Sequence, residues 1–136
     1  MTTTTDQGSE LSAIISVPGQ IISAWADHDA DAFARVFVED GTMTMPGVYL
    51  KGHDQIRAFM AERFEGEYKG TQVTGTPLDF ILLSDTSVVL VSEGGVMQPG
   101  ETEVSDAAAI RAYWVLVKRD GLWKLAAYQN TPRDAA

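Results

Sequence analysis

The hydrophobic period of this chain changes once, near Gly70, from a helical repeat to strand-like runs. That single change restricts the fold more than any other feature. Before it, Leu11, Ile14, Ile15, Pro18, Ile21, Ile22 and Trp25 recur in steps of three and four and form one stripe on a helix face. Pro18-Gly19 interrupts the stripe; a proline there removes a backbone hydrogen bond and crowds the preceding turn, which predicts a kink or break. A second, short helix follows, with Asp29 as N-cap and Ala32, Phe33, Val36 and Phe37 on its buried side, ended by Asp40-Gly41. Thr42 to Met45 reads as a short strand stopped by Pro46-Gly47, and a third helix is predicted from about Asp54 to Phe64. Beyond Gly70, segments 72–83, 86–98, 105–118 and 122–131 are rich in Val, Leu, Thr and aromatics. Ser84-Asp85, Pro99-Gly100 and Asp120-Gly121 separate them, and Asp-Gly between two apolar runs is the strongest hairpin signal in the chain. Helices gathered in the first half and an antiparallel meander in the second predict an α+β fold.

A length of 136 residues suits one domain, taken as 10–132, with a Thr-rich flexible tail over 1–9 and a short tail over 133–136. Ten basic against 19 acidic residues leave a formal charge of −9, which repels phosphate backbones and anionic lipid. No nucleic acid and no membrane are therefore expected as partners. The chain has no cysteine, so disulfides, thiolate metal sites and a cysteine nucleophile are excluded together. Met1 to Asp6 lacks the positive start and apolar run of a signal peptide, and no stretch has the ~20 apolar residues of a membrane helix. A cytoplasmic location is the expectation.

Strict alternation divides the last two strands between faces. Ala109, Arg111, Tyr113, Val115 and Val117 share one face of 105–118; Ile110, Ala112, Trp114, Leu116 and Lys118 share the other. In 122–131, Trp123, Leu125, Ala127 and Gln129 oppose Lys124, Ala126, Tyr128 and Asn130. The lysines mark the second set of each pair as outward. That face then carries Trp114, Leu116 and Tyr128, too apolar to stand in water, and a homodimer burying it is the economical expectation. The inner face mixes large apolar residues with Arg111, Tyr113 and Gln129, the composition of a ligand pocket, unless Arg111 reaches the rim and Gln129 bonds to backbone.

Other motifs are weaker. Asp27-His28-Asp29-Ala30-Asp31 opens like a calcium loop, but its sixth position is Ala32 and its twelfth Val38. Acidity at a helix start accounts for these carboxylates. His28 and His53 have no second histidine at helical spacing, so no metal site is expected. Gly94-Gly95 lies inside a strand and reads as a bulge or bend. Glu93, just before that bend, is the most interesting carboxylate. Re-aimed into a cavity its pKa would rise and it could serve as acid or base; otherwise it is an outward glutamate at a bend. Asp79 and Asp106 carry weaker versions of the same argument.

The segment Trp25-Ala26-Asp27-His28-Asp29-Ala30-Asp31-Ala32-Phe33-Ala34-Arg35-Val36-Phe37-Val38-Glu39-Asp40-Gly41 resembles the helical signature of the nuclear-transport-factor-2-like (SnoaL-like) superfamily. Gly52-His53-Asp54-Gln55-Ile56 resembles the start of its third helix, and the run from Val117 to Pro132, closing on Gln129-Asn130-Thr131-Pro132, resembles its SgcJ/EcaC subgroup. Within that subgroup the chain is most similar to SgcJ-type enediyne biosynthesis proteins. The resemblance covers residues 11 to 132. It implies a cystatin-like cone, a barrel-like curved antiparallel sheet closed by N-terminal helices around a central pocket, usually dimeric. The superfamily includes cofactor-free isomerases, polyketide cyclases, dehydratases and binding modules, so the fold does not choose a function.

Carried over residue by residue, the enzymatic groups of the superfamily are missing. The isomerase general base, an aspartate before a proline in the first strand, corresponds to Met45 before Pro46, and the oxyanion tyrosine corresponds to Ile21. A thioether and an alkyl chain cannot move protons, so that mechanism is excluded. The late-strand aspartate of the cyclases has no counterpart, because the sole carboxylate between Ala107 and Thr131 is Asp120, in a turn. The reading is therefore a small-molecule-binding accessory protein of polyketide, enediyne-type biosynthesis, without metal or cofactor. Trp25, Met45, Tyr49, Arg111, Tyr113 and Gln129 are the expected ligand-binding residues, for a hydrophobic polyketide-like molecule. The alternatives are a cofactor-independent cyclase or isomerase, using Glu93 as base with Tyr113 or Arg111 stabilising an enolate, and a non-catalytic dimerisation module. A biosynthetic enzyme handling the same intermediate is a further candidate partner.

Overall fold

The computed structural model describes residues 3–134. Three helices and six strands follow in the order α1 (Thr3–Ala26), α2 (Ala30–Arg35), β1 (Phe37–Met45), β2 (Val48–Lys51), α3 (His53–Glu65), β3 (Gln72–Ser84), β4 (Ser87–Met97), β5 (Ala109–Arg119) and β6 (Leu122–Pro132). This is the expected α+β arrangement, with three differences in its first half. α1 runs unbroken through Pro18. Proline deletes a single helical bond, and the buried Ile14, Val17, Ile21 and Trp25 hold both sides of it in one core. The helix also takes in most of the segment expected as a tail, whose residues 1 and 2, like 135 and 136, lie outside the described residues.

α2 is shorter than its apolar pattern suggests. Asp29 caps it by accepting from the Ala32 amide at 3.0 Å, and Asp31 pairs with Arg35 one turn on. The helix stops at Arg35, and Phe37 already belongs to a strand. Asp40-Gly41 is an irregularity inside β1, not a helix end: Phe37 pairs with Leu125, and pairing resumes at Thr42 with Ala127. A side chain at Gly41 would press on Phe37 at 3.0 Å. Pro46-Gly47 then makes a tight turn into β2, with Gly47 at φ +77°, as the second corner of a Pro-Gly turn requires.

The six strands form one sheet in the order β2-β1-β6-β5-β4-β3. The last four make the expected antiparallel meander, closed at Asp120-Gly121 with both residues in the left-handed region, the geometry of a type I′ hairpin. β1 and β6 pair in parallel, so the sheet is mixed. It curves as a cone and does not close into a barrel, since β2 and β3 remain its two edges. β5 starts four residues later than expected because Asp106–Ala108 form a 3-10 turn capped by Ser105.

The core packs α1, α2 and α3 into the concave side of the sheet, with Phe37, Met43, Ile56, Met60, Leu116 and Leu125 fully enclosed. Glu10 fastens α1 to the far end of the sheet by accepting from Lys118 Nζ and Trp123 Nε1. Among the described residues no helix is long and apolar enough to cross a membrane.

Candidate ligand-binding site

The decisive local feature is one extra residue in β6. Val115 faces Ala127, but the next residue of β5, Leu116, faces Leu125, so Ala126 is left over as a bulge. A one-residue insertion reverses the faces beyond it. Trp123 and Leu125 point inward before the bulge, and Tyr128 and Asn130 line the interior after it. On β5 the inward set is Ala112, Trp114 and Leu116, at 2%, 7% and 0% exposure. The face assignment made from alternation is therefore reversed. Trp114, Leu116 and Tyr128, expected as an outer dimer patch, belong to the concave wall. Lys118 had marked their face as outward, but it sits at the rim of the inner face and answers Glu10 on α1.

Between the helices and this wall lies a cavity of about 1230 Å³. Ile21 and Trp25 of α1, Phe59 and Met60 of α3, and Trp114 and Tyr128 of the sheet enclose it. The aromatic rings brace one another. Trp25 meets Phe64 edge-on at 5.5 Å and lies 4.6 Å from Tyr68, while Trp114 meets Tyr128 edge-on at 4.8 Å. Beside the cavity, β3 and β4 approach closely at paired glycines. Gly94 faces Gly75, and a Cβ on Gly94 would lie 1.9 Å from the Thr74 carbonyl oxygen.

The polar groups of the wall are few. Trp114 Nε1 donates to Ser92 Oγ at 2.9 Å, and Trp25 Nε1 donates to Thr71 Oγ1 at 3.0 Å. The Thr71 hydroxyl passes its own proton to the Tyr68 carbonyl at 2.6 Å. Asn130 Nδ2 donates to the Tyr128 hydroxyl at 2.9 Å. Burial pushes the Tyr128 phenol up to about 12, against the smaller opposing effect of the Asn130 hydrogen bond. Burial also raises Tyr68, with the neighbouring Glu67 charge adding to it. At the mouth, Arg63 pairs with Glu67 at 2.7 Å and lies over the Phe59 ring at 4.7 Å, while its buried Nε has no partner among the described residues.

Of the residues expected to bind ligand, Trp25 and Met45 line the cavity, as does Ile21. Tyr49 is 64% exposed on the edge strand β2. Arg111, Tyr113 and Gln129 lie on the convex side, where Tyr113 and Gln129 border a shallow cleft with Val115 and Ala127. Glu93 is also on that side, bonded to Arg111 at 2.9 Å, so neither expected proton carrier, Glu93 or Tyr113, reaches the cavity. Asp79 stands at the mouth, exposed, and accepts from the Phe80 amide at 2.8 Å; Asp106 pairs with Arg133 outside. The histidines are structural ties: His28 Nε2 accepts from the Gly70 amide at 3.0 Å, and His53 Nε2 lies 2.7 Å from the Phe37 carbonyl. Among the described residues no three His, Asp or Glu side chains gather as a metal site.

Tyr128, Asn130, Ser92 and Tyr68 are the polar wall residues that reasoning from sequence passed over. A signal existed. The large residues Trp123, Leu125 and Tyr128 step by two and then by three, the mark of a bulge.

The model of the SnoaL-like domain family matches residues 21–129. Among solved structures, a cystatin-like-fold domain of unknown function from Nostoc punctiforme superposes with a TM-score of 0.85 at 28% identity, covering 99% of this chain and 81% of that one. An NTF2-like protein with a cystatin-like fold from Novosphingobium aromaticivorans gives 0.80 at 17% identity, covering 100% and 94%. A ketosteroid isomerase-like protein from Erwinia carotovora gives 0.73 at 20% identity, covering 93% and 98%. No curated protein matches the chain.

Proposed function

The chain belongs to the SnoaL-like domain family, and on that premise we propose that its cone binds an extended, apolar small molecule without transforming it. One observation carries this reading: the walls are apolar and aromatic, and away from the mouth their ionisable groups are the phenols of Tyr68 and Tyr128, neutral at physiological pH and made weaker acids still by burial. Carboxylates stand only at the mouth, where Glu67 is tied to Arg63 and Asp79 to the backbone. A neutral lining favours solubilising and orienting a ligand over shuttling its protons. The C-terminal block Gln129-Asn130-Thr131-Pro132 supports a role in polyketide biosynthesis of the enediyne type, with a polyene-like intermediate as ligand. The test uses a conjugated tetraene ester, methyl parinarate, whose fluorescence rises in an apolar site. Saturable binding at one molecule per chain, with the tetraene recovered unchanged, is the expected result. Loss of the tetraene absorption on incubation would replace this reading with the cyclase or isomerase alternative.

We also propose a homodimer, seated on the convex face and not on Trp114, Leu116 and Tyr128. Support comes from the row Ile81–Val89–Val115–Ala127 and the neighbouring pair Tyr113–Gln129, which run across the strands with Ile81 and Tyr113 at 42% and 50% exposure.

A further inference from the structure

Among the described residues, the polar groups of the cavity left incomplete include Arg63 Nε at the mouth and the hydroxyls of Ser92 and Tyr128 on the wall. Each indole N–H of the wall already has an acceptor: Ser92 for Trp114 and Thr71 for Trp25. The Thr71 hydroxyl is spent on the Tyr68 carbonyl. The Tyr128 oxygen accepts from Asn130 Nδ2 while its proton, like that of Ser92, has no acceptor among the described residues. Of the two, Tyr128 is the one with its hydroxyl held by a second side chain of its own strand. A phenol enclosed by apolar walls with an unspent proton lacks the free energy of one hydrogen bond, which a suitable ligand atom would supply.

We propose that Tyr128 is the polar anchor of the site, donating its O–H to a neutral carbonyl oxygen of the ligand while Asn130 holds the phenol in place; this rests on the cone being a ligand site. The geometry supports it at three points. Tyr128 sits in the middle of the concave wall, on the row Leu90–Trp114–Tyr128–Met43, so a ligand filling the cone passes over it. Trp114 meets its ring edge-on and Asn130 fixes its oxygen, so little freedom remains to be lost on binding. A hydroxyl that accepts one bond is polarised into a better donor for the next.

The chemistry of the walls then selects the ligand class. A phenol is protonated at neutral pH and burial raises Tyr128 further, so it offers a donor and not a base. A ligand carboxylate would be stripped of water beside an uncharged phenol and amide, with the nearest lining cation, Arg63, already committed to Glu67. A ketone, quinone or ester carbonyl needs one donor and no counter-charge. An elongated apolar molecule with a carbonyl along its length fits; a pure hydrocarbon leaves the phenol unpaired, and a free acid is penalised.

The test compares two isosteres, 2-acetylanthracene and 2-isopropenylanthracene, on the wild-type chain and on Tyr128→Phe. The ketone-to-alkene affinity ratio should fall by about tenfold in the variant, the size of one neutral hydrogen bond. Infrared spectra of the wild-type complex should show the carbonyl stretch lowered relative to the ketone in hexane, and Tyr128→Phe should restore it. The wild-type spectrum needs no variant to fold: an unshifted carbonyl overturns the proposal by itself. Binding of both probes with an unchanged ratio overturns the anchor and leaves the cavity as a ligand site. Failure of the ketone to bind the wild-type chain while the alkene binds overturns the anchor, and failure of both probes overturns the site and the anchor together.

Discussion

Tyr128 holds its proton because the apolar wall around it resists a phenolate, and this ties its titration to folding. Its pKa is raised from 10 to about 12, so the folded chain keeps a proton that the unfolded chain gives up near pH 10. The resulting stability is fully present below pH 10 and is lost as the pH climbs through 12; two pH units correspond to roughly 2–3 kcal/mol. Chemical denaturation between pH 9 and 12 should show that loss in the wild-type chain and not in Tyr128→Phe. Absorbance at the phenolate band should show one tyrosine of the four ionising last. The role of Tyr128 was hidden in the sequence for a specific reason. Alternation gives faces only while pairing stays regular, and the spare Ala126 breaks it three positions after Trp123. Trp25 and Met45 were legible because each lies in or beside an element whose pattern is intact around it. Gln129 took the wrong face from this slip, and Arg111 and Tyr113 took it from Lys118, which pairs with Glu10 at the rim of the inner face. Glu93 has the outward position that was its alternative.

Two elements depend on single contacts that periodicity does not record. In the β3–β4 hairpin Gly75 and Gly94 face each other, and a Cβ on Gly94 would overlap the Thr74 carbonyl and the Gly75 Cα, at 1.9 and 2.7 Å. Backbone is on both sides, so no side chain can yield. Gly94→Ala should cost about 3 kcal/mol or more, read from the shift in denaturation midpoint, while Gly19→Ala, in open space on α1, should be harmless. Gly94-Gly95, expected as a bulge or bend, pairs in regular register with both neighbouring strands, so there is no bulge. The glycines serve close approach, and the partner Gly75 was not legible because pairing across strands is not written in either strand alone. α1 is anchored differently. Lys118 and then Trp123, both donating to Glu10, hold its carboxyl below the usual value. A depressed carboxyl stabilises the fold above its unfolded pKa and ceases to do so as the pH falls through the folded one. Hydrogen-exchange protection factors along the first half of α1, which correct for the intrinsic pH dependence of exchange, should therefore fall on acidification below about pH 4.5, the ordinary value for a glutamate, and Glu10→Gln should show the lower protection already at neutral pH.

At the scale of the molecule, the helices pack on the concave face of the sheet, and the two faces differ in what they present. The concave face stores its apolar residues in a core and a cavity. The convex face presents Ile81 and Tyr113 at 42% and 50% exposure, with Val115 and Ala127 bordering a cleft of about 240 Å³. Its charged pair, Glu93 with Arg111, is internally neutral, so two copies can meet there without burying an unpaired charge. The net charge of −9 opposes this meeting at long range, since each copy repels the other before the faces touch. Salt shortens that repulsion to about 8 Å at physiological ionic strength, while apolar burial is not weakened by it. The dimer should therefore tighten as sodium chloride is raised from 20 to 200 mM, the opposite of an interface held by ion pairs. Sedimentation equilibrium at micromolar concentration measures this directly. Val115→Arg, placed mid-face, should give a folded monomer that still binds methyl parinarate, because the cavity lies on the other side of the strand. A wild-type chain that stays monomeric at every salt concentration would leave the convex face without its proposed occupant.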